Sequence, residues 1–89
     1  MPDRARRPML ADSAPSEDRL TEYDQAHLPE YLRLLDADRD AAPWTEVVHI
    51  VLGIDPRNEP ERARRAYDSH LARARWIADH GYHDILRRS

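Results

Sequence analysis

Residues 44–77 read WTEVVHIVLGIDPRNEPERARRAYDSHLARARWI, two helical patterns separated by a stretch that cannot be helical. In the first pattern Trp44, Val47, Val48 and Val51 recur at i, i+3, i+4 and i+7, which predicts a helix with one stripe, Trp44 included, facing a core. Gly53 ends it and Ile54 can anchor the turn inward. Asp55-Pro56 blocks continuation, because the residue before a proline is pushed out of the helical region. The second helix restarts near Pro60 and runs to about His80. Two helices joined by such a turn read as a helix-turn-helix, an arrangement that points to recognition rather than catalysis.

At 100° per residue the second helix sorts into three arcs. Ala63, Ala66, Tyr67, His70, Leu71, Ala74, Ile77 and Ala78 form the predicted core face, whose alanines let a neighbouring helix approach closely. Within it, His70 reads as a hydrogen-bonded core histidine. A solvent arc carries Glu61, Arg64, Asp68, Arg75 and Asp79, where Arg64/Asp68 and Arg75/Asp79 are predicted i, i+4 ion pairs. The remaining arc, Arg62, Arg65, Ser69, Arg73 and Trp76, is uncompensated by neighbouring acids. Guanidinium groups bind phosphate and guanine edges bidentately, so Arg62, Arg65, Ser69 and Arg73 are candidate DNA or partner contacts; the competing reading is a solvated surface. Trp76 is expected to pack against a C-terminal turn of Tyr82, Ile85 and Leu86, the alternative being an exposed hot spot for a partner.

Working outward, Leu28, Tyr31, Leu32 and Leu35 repeat at i, i+3, i+4 and i+7 and predict a first helix ending near Ala37. Thr21 and Asp24 are spaced as a capping pair, and Pro29 is tolerated only in a first turn, which places the regular start around Gln25 to Leu28. The run Asp36, Asp38, Asp40 is expected in a solvated link and is a candidate acidic partner face. Pro43 suits the first position of the next helix, and His80-Gly81-Tyr82 reads as a glycine stop before a last turn. The predicted fold is therefore all-α, a small helix-turn-helix variant of three main helices plus a short C-terminal helical turn over residues 21–89. Residues 1–20, with Pro2, Pro8 and Pro15 among small and charged residues, are expected to be a disordered tail.

The whole chain has 89 residues, 14 arginines and no lysine against 17 acids, a net charge of −3. The charge is uneven: residues 21–55 carry two arginines and eight acids (net −6), residues 56–89 eight arginines and five acids (net +3). An acidic whole weakens the case for unaided DNA binding and favours a protein partner. The longest apolar stretch, Val47 to Ile54, falls far short of the roughly 20 residues of a membrane span, and no secretory signal pattern is visible. Absence of cysteine excludes disulfides and thiolate metal sites, and a cytoplasmic location is the simplest fit. His27, His49, His70, His80 and His83 show no i, i+4 pair and no HExxH, so no metal is expected. Only two glycines, Gly53 and Gly81, leave no phosphate-cradling loop, and no nucleophile or acid-base set is visible. Neither an enzyme nor a cofactor is expected.

The stretches LTEYDQAHLPEYLRLLDAD (20–38), WTEVVHIVLGIDP (44–56), EPERARRAYDSHLARARWIADHGY (59–82) and the closing ILRRS, taken in order and spacing, resemble the small bacterial domain at the C-terminus of RovC-type transcription regulators. At this length the chain is similar to the QseM-type antiactivators of rhizobial integrative and conjugative elements. The resemblance covers about residues 20–88 and implies a helix-turn-helix variant. It also implies a protein that binds quorum-sensing activators of the TraR type and activators of the FseA type, blocking transcription of excision and transfer genes. Direct DNA binding through the last long helix is the alternative.

Overall fold

The computed structural model describes residues 10–81. It is all-α, and no strand occurs among the described residues. The order is α1 (Glu22–Ala26), α2 (Leu28–Arg39), α3 (Trp44–Leu52) and α4 (Pro60–Trp76), with the last turn widening to a π-helix over Ile77–Gly81. α3 and α4 form the helix-turn-helix pair, and α2 packs against both.

Each boundary has a local cause. Thr21 and Asp24 close the capping box in both directions: the Asp24 N–H donates to Thr21 Oγ1 (3.1 Å) and the Thr21 N–H to Asp24 Oδ2 (2.9 Å). That nucleates only one turn, because Pro29 lacks the N–H to continue it. The chain steps through His27 (φ −117°, ψ 21°) and restarts with the proline harmlessly in the first turn of α2. The single predicted first helix is thus two, and α2 extends two residues beyond Ala37. α2 ends in a Schellman arrangement, the Ala42 N–H bonding Ala37 O (3.0 Å) and the Ala41 N–H bonding Asp38 O (3.1 Å). Ala41 carries the left-handed φ of 59° that glycine usually supplies. Gly53 ends α3 at φ 74°, and the Ile54 N–H folds back onto Val48 O (3.3 Å), seating Ile54 in the core. The turn to α4 is tied by Asp55, whose carboxylate accepts from the Arg57 N–H (2.9 Å) and the Asn58 amide (3.2 Å).

The core gathers Val47, Val48, Leu52 and Ile54 from the α3 side, Ala63, Ala66, Tyr67, Leu71, Ala74 and Ile77 from α4 and its extension, and Tyr31 and Leu34 from α2. The small side chains at 63, 66 and 74 are fully covered, as expected for close helix approach. Three expectations are corrected. Ala78 is exposed, and Trp44 and Val51 are half-buried at the core's edge. Trp44 lies there because the Arg64 guanidinium covers its ring at 4.9 Å, with Tyr67 at 6.0 Å. Most consequentially, the phase of α2 differs: Leu32 is 62% exposed while Leu34 is 1% exposed. The buried set is His27, Glu30, Tyr31 and Leu34, the same i, i+3, i+4, i+7 template one residue earlier. Leu28, Leu32 and Leu35 instead line an open apolar hollow of about 420 Å³ with Ala74, Ile77 and Ala78.

Candidate functional site

The arc Arg62, Arg65, Ser69, Arg73 and Trp76 does share one side of α4, but it is not an uncompensated surface. Residues 10–20 carry no helix, and they lie along this side. Of the segment expected to be a disordered tail, residues 1–9 fall outside the described residues, while Leu20 is 3% exposed and Leu10 packs against the core. Residues 10–20 are held by polar groups of α4 along their length and by Leu20, with Leu10 in part, at their two ends.

Arg73 is the centre of this arrangement. It is 5% exposed. Its Nε and Nη2 donate to the Asp24 carboxylate at 3.1 and 2.7 Å, a bidentate pair, while Nη1 donates to Glu17 O at 2.6 Å and Nη2 also to Arg19 O at 2.7 Å. Its guanidinium stacks 4.2 Å from the Trp76 ring centroid. Asp24, fully buried, also accepts from Tyr31 Oη (2.8 Å) and Thr21 Oγ1 (3.0 Å). Burial pushes this carboxyl up, yet the bonds from Arg73, Thr21 and Tyr31 outweigh it and hold the group below the ordinary carboxylate range. The Tyr31 hydroxyl is driven far up, by burial and by donating to that carboxylate.

The other members of the arc are also engaged. Arg62 Nε binds Asp12 (2.7 Å) and its Nη1 binds Glu59 (3.0 Å). The Arg62 bond holds the exposed Asp12 carboxyl low, and nearby Arg65 adds to the effect. Ser69 Oγ accepts the Ala14 N–H (3.0 Å) and donates to Ala66 O (3.2 Å). Trp76 is half-buried between Arg73 and the stacked His80 ring (6.0 Å) and borders a hollow of about 300 Å³ beneath Ala14 and Pro15. Its expected contact with Tyr82, Ile85 and Leu86 lies outside the described residues, as does His83. Of the three arginines Arg65 alone is exposed.

A hydrogen-bond relay fixes the upstream end of the segment. His70 is 1% exposed, as expected of a bonded core histidine; its Nδ1 donates to Ala66 O (2.7 Å), which leaves Nε2 as the acceptor for the Tyr23 hydroxyl (2.6 Å). Tyr23 Oη in turn accepts the Ala11 N–H (2.9 Å). Burial lowers the His70 pKa and raises that of Tyr23, so the neutral forms the relay requires are favoured.

On the acidic side, Asp36 and Asp38 sit in the last turns of α2, not in a link, and Asp40 caps it, all three exposed. Asp36 pairs with Arg39 (2.8 Å) and Asp38 with Arg75 across to α4 (2.8 Å). Arg75 is therefore not the predicted partner of Asp79, whereas Arg64–Asp68 is found (3.1 Å). Among the described residues no three His, Cys, Asp or Glu side chains come together as a metal site. Nor is any helix among them long and apolar enough to cross a membrane.

The residues that sequence reasoning missed are Asp24, Tyr23 and Tyr31. The only signal for Asp24 was its capping position beside Thr21. Comparison of the chain with models of protein families and with curated proteins gives no match.

Proposed function

We propose that the chain is a transcriptional antiactivator, which binds an activator of the TraR or FseA type by protein contact and keeps it from its promoter. The observation that carries this reading is the internal occupation of the α4 arginines. Arg73 is buried on Asp24 and Arg62 is paired with Asp12 and Glu59, so two of the three guanidiniums that a groove-reading helix would present are already spent. The acidity of residues 21–55 adds to it, with Glu22, Asp36, Asp38, Asp40 and Glu46 all exposed. An activator's DNA-binding surface is basic, and an acidic domain seated on it occludes it and is steered there by charge.

The test is a titration of promoter DNA at low and moderate salt with this protein alone, with the activator alone and with both. The expected result is no selective DNA complex with this protein and loss of the activator's complex when both are present. Reversal of charge at Asp36 and Asp40 weakens that competition, whereas reversal at Arg65 leaves it. Tight, salt-steep, sequence-selective binding by the protein alone overturns the proposal in favour of a DNA-reading α4.

A further inference from the structure

The contacts between α4 and residues 11–19 have a chemistry of their own. α4 addresses this segment mainly through its backbone: Ser69 takes the Ala14 N–H, and Arg73 takes the carbonyls of Glu17 and Arg19. Only Arg62 reads a side chain, the carboxylate of Asp12. Between these points Ala14 and Pro15 share with Ala72 and Trp76 the walls of the hollow of about 300 Å³. Backbone reading with one carboxylate anchor and one aromatic shelf is how an extended peptide is held.

We propose that this side of α4 is a docking site for an extended acidic peptide segment of a partner protein, filled in this structure by the chain's own residues 11–19. Three observations carry it. First, the resident segment ADSAPSEDR has three acids and one arginine, complementary to a helix from the basic half of the chain. Second, the upstream attachment of the segment is open to water. Residues 11–13 and 16–19 are exposed, the Arg62–Asp12 pair is open to water, and apolar anchoring falls at Leu20 and, partly, at Leu10. The exposed Arg62–Asp12 pair and Ala11 bond open locally at small cost, while the part-buried bonds from Ser69 and Arg73 are the ones a competing peptide takes over. Third, opening leaves Nη1 of a buried guanidinium without its acceptor, which favours refilling by another chain's carbonyl.

The site selects peptide over nucleic acid. The Asp24 carboxylate lies bidentate against Arg73 and repels a phosphate there, while a neutral carbonyl suffers no such repulsion. The resident segment also tunes the site, since its tethered local concentration sets how strongly a partner must bind to displace it. Such a partner need not be an activator.

A labelled peptide with the sequence of residues 10–19 tests it by fluorescence anisotropy against the full chain. Asp12→Lys in the protein places a like charge on Arg62 and Arg65 and loosens the resident segment. The peptide is expected to bind this variant at least tenfold more tightly than the unaltered chain, and several-fold more weakly again when Ser69→Ala is added. Equal affinity for the two proteins, or no binding to Asp12→Lys at millimolar peptide, overturns the proposal. Independently of any variant, excess peptide added to the unaltered chain speeds hydrogen exchange at the Ala11 and Ala14 amides; unchanged exchange at saturating peptide overturns it equally.

Discussion

Arg73 on α4 and Asp24 on α1 meet through two hydrogen bonds across 49 residues of sequence, and both are almost completely withdrawn from water. This pair joins the capping box, the Tyr31 hydroxyl and the carbonyls of residues 17 and 19 into one polar cluster on the core's flank. A buried ion pair recovers its desolvation cost only when further hydrogen bonds satisfy both partners, and here Asp24 accepts from Thr21 and Tyr31 while Arg73 donates to two carbonyls. The cluster fixes where the N-terminal segment crosses α4.

Removing one partner leaves the other charged and buried. Arg73→Ala and Asp24→Ala are each expected to cost about 3–5 kcal/mol in urea unfolding, a large share of a small domain's stability. Arg73→Lys should lose most of the same energy, because an ammonium cannot bond both carboxylate oxygens and both carbonyls from one plane. The double alanine variant should be clearly less destabilised than the sum of the singles. Strict additivity would show that the pair is not coupled.

The phase of α2 is open to an equally direct check. Leu34→Ala empties a fully buried position and should cost about 2–5 kcal/mol, whereas Leu32→Ala, on the rim of the open hollow, should stay within about 0.5 kcal/mol of the parent. Reversed magnitudes would mean that Leu32 faces the core after all.

That phase also marks the limit of what the residues disclose. Gly53, Pro60 and the small residues of α4 announce the helix-turn-helix pair because backbone restriction and apolar spacing act locally. In α2 the same template fits two registers. The apolar one, Leu28 to Leu35, wins on hydropathy, yet the buried one carries His27 and Glu30, whose ring and carboxylate lie 3.5 Å apart. A polar core is invisible to a pattern that scores only apolar residues. Arg73 was misplaced for the same reason: its compensating acid lies on another helix, and i, i+4 accounting finds only partners on its own. Of the docking of residues 10–20 only Leu10 and Leu20 carry an apolar signal, since backbone groups carry most of its bonds and any sequence supplies those.

Two turn positions should respond oppositely to glycine. Ala41 holds φ 59° in the Schellman turn after α2, so Ala41→Gly relieves a left-handed alanine and should raise stability by about 0.5–1 kcal/mol, net of the added freedom of the unfolded chain. Gly53→Ala imposes that strain at φ 74° where no other atom lies within 4 Å of the new Cβ. It should cost about 1 kcal/mol and no more, since packing is untouched. Thermal melts of both variants suffice, and a destabilised Ala41→Gly would refute the assignment of Ala41 to the turn's strained position.

Acid should act on the domain in two separate steps. His70 donates from Nδ1 to a carbonyl and accepts at Nε2 from Tyr23, so a proton added at Nε2 meets a hydroxyl already committed to that nitrogen. Burial is the main cause of its lowered pKa; His27 adds to it, and the Ala66 carbonyl and Asp24 oppose it without prevailing. Above the ordinary histidine value of 6.5 neither folded nor unfolded chain takes this proton. As pH falls below 6.5 the unfolded chain takes it first, and stability drops until the folded pKa is passed. Asp24, with its folded pKa below the ordinary 3.8, keeps its contribution until pH falls through 3.8 and loses it below. Urea midpoints measured between pH 8 and 5 should therefore be level at first and then decline from about pH 6.5. His70→Gln, which cannot be protonated, should flatten that portion of the curve. In the unaltered chain, protection of the Ala11 amide relative to its intrinsic exchange rate should fall over the same interval, because that N–H hangs on the Tyr23 oxygen whose proton His70 holds in place. A midpoint that rises on acidification from pH 7 to 5 would show that the imidazole prefers its charged form in the folded protein, against the relay.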